Sequence, residues 1–305
     1  MGWKNKSVLV TGHNGLVGTN LVNKLEDLGA LVNKAEQKDN KERLDLTKKE
    51  NCEYLFKNNY DCVFHCAAKS FGAKYMKEHP EGLIEPNILM NMNMLESAVD
   101  HTDKFVFISS STIYPDLDIP MKETDDGEPA KVYQGVGNMK KYSEKLCEFY
   151  KDNKGLETII IRPSNIYGPH DKYETQDSHV IPALIKKALN KDSPFIVWGD
   201  GNQVRDFIYV DDFINMTLEA VEKNISPINI ATGYGQNMRY LTDLVLKETN
   251  HNLKPTYDLT KPTAIPIRLV NNKKALKLLK NKPKIDLKEG IKRTTKWMKE
   301  DMSMQ

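Results

Sequence analysis

Short unbroken apolar runs alternate along the first half of the chain with longer stretches in which apolar positions recur every three or four residues. SVLVTG (7–12) reads as a strand. GLVGTNLVNKLEDLG (15–29) reads as a helix, with Leu16, Val17, Leu21, Val22, Leu25 and Leu28 on one stripe and Gly29 closing it. A second strand ends near Leu31–Val32. YDCVFHCAA (60–68) predicts another strand, NILMNMNMLESAVDH (87–101) a helix, and KFVFISSST (104–112) a strand. A helix from about 136 to 153 and the strand LETIIIRPS (156–164) follow. Strands that are apolar throughout and separated by helices predict an α/β fold, a parallel sheet covered by helices on both faces.

After residue 165 the regularity breaks down. NIYGPHDKYETQDSH leads into a helix, a strand and WGDGNQVRDFIYVDD. We expect a dinucleotide-binding domain over 1–165, rejoined by a segment at about 205–235, and a smaller C-terminal substrate-binding lobe over most of 166–305. Open α/β sheets take their ligands in a crevice outside the carboxyl ends of the strands.

VTGHNGLVG (10–18) sets Gly12, Gly15 and Gly18 between the first strand and the first helix, with His13, Asn14, Leu16 and Val17 between them. Glycines there let the backbone turn sharply and approach a pyrophosphate at the positive end of the helix, which makes the sheet Rossmann-type and the ligand a dinucleotide. Beyond the second strand stand Lys34 and Glu36. A basic residue there favours the 2′-phosphate of NADP and an acidic one the ribose hydroxyls of NAD, so these two oppose each other.

Composition narrows the partners. With 39% hydrophobic and 28% charged residues and a formal net charge of +2, the 305-residue chain is an ordinary globular protein with dispersed charge, and nucleic acid is not expected. Cys52, Cys62, Cys66 and Cys147 make no CxxC pair and no zinc spacing with histidine, so no metal is expected. The strand pattern begins almost at the N-terminus, which predicts no signal peptide. No apolar run approaches the ~18–20 residues that span a bilayer. The expected location is the cytoplasm, with no membrane partner.

The GxxGxxG spacing resembles the extended short-chain dehydrogenase/reductase superfamily, and the rest of the chain continues the likeness. SSSTIYP (109–115) is similar to the strand end that carries the superfamily's serine, here Ser110, and GVGNMKKYSEK (135–145) to its lysine-bearing helix. RPSNIYGPHD (162–171), SHVIPALIKKAL (178–189), IVWGDGNQVRDFIYVDD (196–212), INIATG (228–233), KP at 261–262 and RLVN (268–271) resemble the GDP-L-fucose synthase family. That family binds NADPH and GDP-4-keto-6-deoxy-mannose, epimerises C3 and C5, and reduces the C4 ketone; related enzymes are commonly homodimers.

The resemblance therefore implies NADP, with NAD as the alternative, a GDP-sugar substrate and a homodimer. It implies that Ser110 meets the sugar O4 and that Lys140 holds the nicotinamide ribose. Ala67, Ala68, Pro163, Asn165 and Ile166 would border the coenzyme, Asn165 the sugar as well, and Asp45 would lie near the adenine. His179 would be the acid in epimerisation, Arg205 and Lys187 would neutralise the diphosphate, and Trp198 would pack against the guanine or ribose.

Two positions depart from the pattern. Thr112 stands where the fucose synthases carry a cysteine base, and a threonine hydroxyl is too weak an acid to replace it. Val136 stands where the superfamily carries a tyrosine four residues before the lysine, and valine neither donates nor accepts a proton. The expectation is a C4 oxidoreductase on a GDP-sugar, impaired by Val136. A C4-epimerase, a 4,6-dehydratase and a catalytically silent sugar-nucleotide-binding subunit are the alternatives. Tyr142 points to the far side of the lysine's helix; Tyr133 lies two turns up the same face, but Gly135 predicts a break before it.

Overall fold

The computed structural model describes residues 2–36, 43–70, 79–174, 178–261 and 263–304. Six parallel strands make the central sheet: β1 Ser7–Thr11, β2 Leu31–Lys34, β3 Cys62–His65, β4 Lys104–Ile108, β5 Glu157–Pro163 and β9 Ile228–Ile230, in the order β2-β1-β3-β4-β5-β9. The order reverses between β1 and β3, the switch point at which such sheets open a crevice. Side chains alternate across the sheet. Val8, Val10, Phe64, Val106, Ile159 and Ile161 fill one core. Leu9, Val63, Phe105, Phe107 and Ile160 fill the other. Both faces are apolar because both are covered, as the continuous runs predicted.

Helix α1 (Leu16–Asp27) packs on the first face; α2 (Lys49–Leu55), α3 (Ile84–Ala98) and α4 (Gln134–Lys154) lie on the second. A smaller sheet stands beyond the carboxyl edge, built from β8 (Val204–Tyr209), β10 (Gly235–Asn237) and β12 (Ile267–Arg268), with β6 (Asn165–Tyr167) pairing β8. A separate pair joins β7 (Ile196–Trp198) to β11 (Thr256–Asp258). Helices α5 (Val180–Leu189), α6 (Val210–Glu222), α7 (Met238–Glu248), α8 (Lys273–Leu278) and α9 (Leu287–Met304) complete the chain, and α6 returns to pack on α1. No helix among the described residues is long and apolar enough to cross a membrane, and no group of three or more metal-ligating side chains occurs among them.

Several boundaries differ from the sequence reading. β2 runs on to Lys34, so that residue belongs to the strand. β4 stops at Ile108, and residues 111–113 coil into a 3₁₀ turn that Ser110 caps. α3 begins three residues early, with Pro86 in its first turn, where a missing N–H costs nothing. The expected break at Gly135 does not occur. A 3₁₀ turn over Lys131–Tyr133 runs straight into α4, and Gly135 sits in the first helical turn. Glycine's helix penalty is only about 1 kcal/mol, small beside the packing of a 21-residue helix. Gly137 is required for another reason: a Cβ there would stand 2.5 Å from the Thr112 carbonyl oxygen.

Candidate active site

The glycine loop forms a cradle at the end of β1. Gly12 is left-handed (φ +67°), and a side chain on it would strike the Ala67 backbone nitrogen at 2.7 Å. A Cβ on Gly18 would lie 2.1 Å from the Gly12 carbonyl, so helix and turn touch backbone to backbone. Gly15 caps α1 without a side-chain hydrogen bond, leaving the first-turn N–H groups to a ligand. His13 is buried and its Nδ1 has no hydrogen-bond partner, while its Nε2 lies 3.6 Å from a Glu36 carboxylate oxygen. These features fit a dinucleotide: an open helix N-terminus, glycines where backbone meets backbone and an unsatisfied polar atom beside them.

A buried polar chain ties this loop to α4. Thr11 Oγ1 lies 2.8 Å from His65 Nδ1, His65 Nε2 lies 2.9 Å from Asn91 Oδ1, and Asn91 Nδ2 donates to Ser143 Oγ at 2.8 Å. Burial pulls the His65 pKa down to about 4, so this imidazole is neutral and structural. Asn87, one turn before Asn91, holds the Lys69 backbone on both sides. Asp45 accepts from the Thr47 N–H and hydroxyl and so closes its own turn. Lys34 Nζ lies 3.8 Å from Glu26 on α1.

Ser110 and Lys140 meet at the carboxyl edge. Ser110 Oγ accepts from the Thr112 N–H at 3.1 Å and from the Thr112 hydroxyl at 3.0 Å. With its lone pairs engaged, the serine has its own proton to offer a ligand oxygen. Thr112 thus orients Ser110. Lys140 Nζ donates to the Ile108 carbonyl at 2.7 Å and stands 4.7 Å from the Phe107 ring centroid. Burial lowers its pKa to about 8, against the partial compensation of Glu144. The Glu144 carboxylate is itself held by Arg162 through bonds of 3.0 and 2.6 Å, and Arg162 also donates to Tyr114 and to the Glu123 carbonyl.

The smaller sheet brings a second group to the same edge. Asn165 donates to the Asp206 carbonyl at 2.7 Å and accepts from Arg268 at 2.7 Å. Arg268 Nε and Nη1 are buried without a hydrogen-bond partner, and its guanidinium lies 4.7 Å from the Tyr133 ring centroid. Arg205 donates to the carbonyls of Val204, Ile265 and Pro266. Burial lowers its pKa, with Tyr133 acting in the opposite sense.

His179 caps α5, and its Nδ1 sits 3.0 Å from both oxygens of the buried Asp171. Desolvation pulls the imidazole pKa down, but the Asp171 hydrogen bond and charge outweigh it, so the net shift is upward and the imidazolium is favoured. Lys187 Nζ donates to the Ile196 carbonyl, and Trp198 is 36% exposed at the end of β7. Asp171 and Arg268 were not assigned roles from the sequence, and Tyr133 was considered only as a stand-in for the tyrosine missing at 136. Asp171 and Arg268 lie inside quoted motifs, yet only their spatial partners mark them.

A glycine cradle at a parallel sheet's switch point, with a serine and a buried lysine at the same edge, defines a nicotinamide-dependent enzyme of the short-chain dehydrogenase/reductase type. Residues 8–231 match the NAD dependent epimerase/dehydratase family, and the chain belongs to it. It is 31% identical to GDP-L-fucose synthase 1 of Arabidopsis thaliana over 309 residues, covering 96% of this chain and 93% of that protein. It is 26% identical to GDP-mannose 3,5-epimerase 1 of Oryza sativa subsp. indica, with 98% and 83% covered. Among solved structures, UDP-glucose 4-epimerase of Thermotoga maritima with UDP-glucose superposes with a TM-score of 0.86 at 25% identity, over 97% of this chain and 99% of that one.

Proposed function

We propose that the protein is an oxidoreductase that takes a GDP-sugar and works at C4. The arrangement that supports this reading is two groups of polar side chains on adjoining elements: one at the carboxyl end of the central sheet, the other on the smaller sheet that begins at Asn165 directly after β5. Ser110 and Lys140 stand on the coenzyme side, and Arg205, Arg268 and the Asp171–His179 pair on the other. A nicotinamide coenzyme held on the glycine cradle supplies or accepts the hydride. The chain's own residues do the rest. Ser110 would donate a hydrogen bond to the sugar O4, without giving up its proton, and so fix the carbon's position. Lys140 holds a ribose hydroxyl and keeps positive charge near the developing alkoxide. Pro163, Asn165 and Ile166 line the floor between the two ligands.

The buried, unpaired donors of Arg268 suit a diphosphate, since a guanidinium meets two oxygens at once. His179, held as imidazolium by Asp171, can give a proton to a ring carbon or hold a hydroxyl. Epimerisation also needs a base, and Thr112 cannot be one, so reduction or oxidation at C4 is favoured. Between the coenzymes, the place of Glu36 beside His13 favours NAD(H).

The test uses Val136→Tyr, which returns the superfamily's phenol to the scaffold. V136Y is expected to oxidise NADH or NADPH stoichiometrically with GDP-4-keto-6-deoxy-mannose and to yield the C4 alcohol, with the UDP-sugar analogue poorly used. A folded, coenzyme-binding V136Y that turns over no GDP-4-keto sugar would overturn the proposal.

A further inference from the structure

The proton that position 136 cannot supply needs a source, and among the described tyrosines three are ruled out by their surroundings. Tyr114 is buried, donating to Asn229 at 2.6 Å and accepting from Arg162. Tyr167 lies packed beneath Gly290, whose added Cβ would touch its hydroxyl. Tyr142 is 47% exposed on the outer side of α4. Tyr133 is different: it is buried at the very start of α4, with the Arg268 guanidinium 4.7 Å from its ring centroid.

We propose that Tyr133 is the acid–base residue of the C4 reaction, delivering its proton to O4 from the substrate side of the crevice; this rests on the GDP-sugar oxidoreductase reading above. Three observations carry it. Tyr133 closes the 3₁₀ turn and is the N-cap residue of the helix that carries Lys140, so no loop separates the phenol from the lysine's helix. Its ring lies 4.7 Å from the Arg268 guanidinium and it interacts electrostatically with Arg205, so negative charge left on the phenol oxygen would be met by cations. Arg268 also bridges to Asn165, which ties the phenol to the residues that floor the crevice.

In the reductive direction, the carbonyl π bond of the C4 ketone is broken as hydride adds to carbon. The Tyr133 O–H bond breaks and an O–H bond forms at O4. One ketone, one hydride and one proton become one secondary alcohol, and the phenolate is reprotonated from water. The lysine no longer acts on the phenol directly, as it would from one turn away; the arginines take over that electrostatic role.

The experiment compares the unmodified chain with Y133F, V136Y and the double variant Y133F/V136Y, using NADH and GDP-4-keto-6-deoxy-mannose. The expected result is that the unmodified chain turns over. Y133F should lose about 10²-fold or more in kcat, with KM and coenzyme affinity within a few-fold. The double variant should recover activity, showing that the phenylalanine at 133 has not disturbed the fold. Y133F with unchanged kcat and a raised KM would make Tyr133 a binding residue and overturn the assignment. An inert unmodified chain beside an active V136Y would also overturn it while leaving the GDP-sugar reading intact. Inactivity of both would remove the two proposals together.

Discussion

Glu36 stands two residues beyond β2, joined to Arg43 by a single antiparallel bridge, with its carboxylate 3.6 Å from His13 in the glycine loop. A ribose attached to a pyrophosphate on that loop must pass this carboxylate. It can accept from two ribose hydroxyls and repels a 2′-phosphate. His13 does not cancel the charge: burial, the largest influence, lowers its pKa below the ordinary value, so it is neutral at pH 7 despite the pull of Glu36. Lys34, which sequence alone set against Glu36, has its ammonium beside Glu26. The unmodified chain is therefore expected to bind NADH at least tenfold more tightly than NADPH. E36R should narrow or reverse that ratio, read by fluorescence titration of each coenzyme. Tighter NADPH binding by the unmodified chain would show that the carboxylate does not face the ribose.

At the scale of elements, α6 works as a clamp. Its Glu219 accepts from the backbone N–H groups of Lys280 and Asn281, both at 2.7 Å, and its Asp212 accepts from those of Lys284 and Ile285, both at 2.8 Å. Two carboxylates on one helix thus fix the segment that leads into α9. Burial alone would raise the Glu219 pKa, but Lys223 and the two N–H groups outweigh it and hold the pKa at about 2. A carboxyl depressed below its ordinary 4.5 stabilises the fold above that value and loses its contribution as pH falls towards 2. E219A leaves two backbone donors unpaired, so a loss of about 2–3 kcal/mol is expected in urea denaturation at pH 7. The gap between variant and parent should close progressively below pH 4.5. A gap that is independent of pH would mean that the side chain acts by packing, not by charge.

At the scale of the whole molecule, what was legible in the sequence is what is local. The strands announced themselves because both faces of the sheet are covered, and the glycine loop because backbone contact at Gly12 and Gly18 excludes any side chain. Ser110 and Lys140 could be proposed from the sequence because each sits within one short motif that resembles the superfamily's. The substrate side was harder. Arg205 and Arg268 come from distant segments and meet because β12 pairs β8 at the register Arg268↔Arg205, and Tyr133 reaches Arg268 from a third segment. Asp171 and His179 are eight residues apart, a contact that no period of two or 3.6 encodes. Gly135 misled because a propensity of about 1 kcal/mol was set against a helix that packing decides.

The two ligand groups lie on different sheets, and that arrangement has a thermodynamic consequence. On the proposed reading, a coenzyme at the glycine loop would contact mainly the central sheet, while a GDP-sugar would span from Ser110 to Arg205 and Arg268 on the smaller one. Each ligand that binds only the folded state stabilises it by RT ln(1 + [L]/Kd), about 2.7 kcal/mol at a hundredfold excess over Kd. A domain of 150–250 residues gains roughly 2–4 °C per kcal/mol, so NADH at that excess should raise the apparent Tm by several degrees. The GDP-sugar added to the NADH complex should raise it further, because it also closes the two buried, unpaired donors of Arg268. R268A should keep the NADH increment and lose most of the sugar increment. Differential scanning fluorimetry of the two chains with each ligand alone and together separates these contributions. Loss of the NADH increment in R268A would show that the arginine supports the coenzyme site instead.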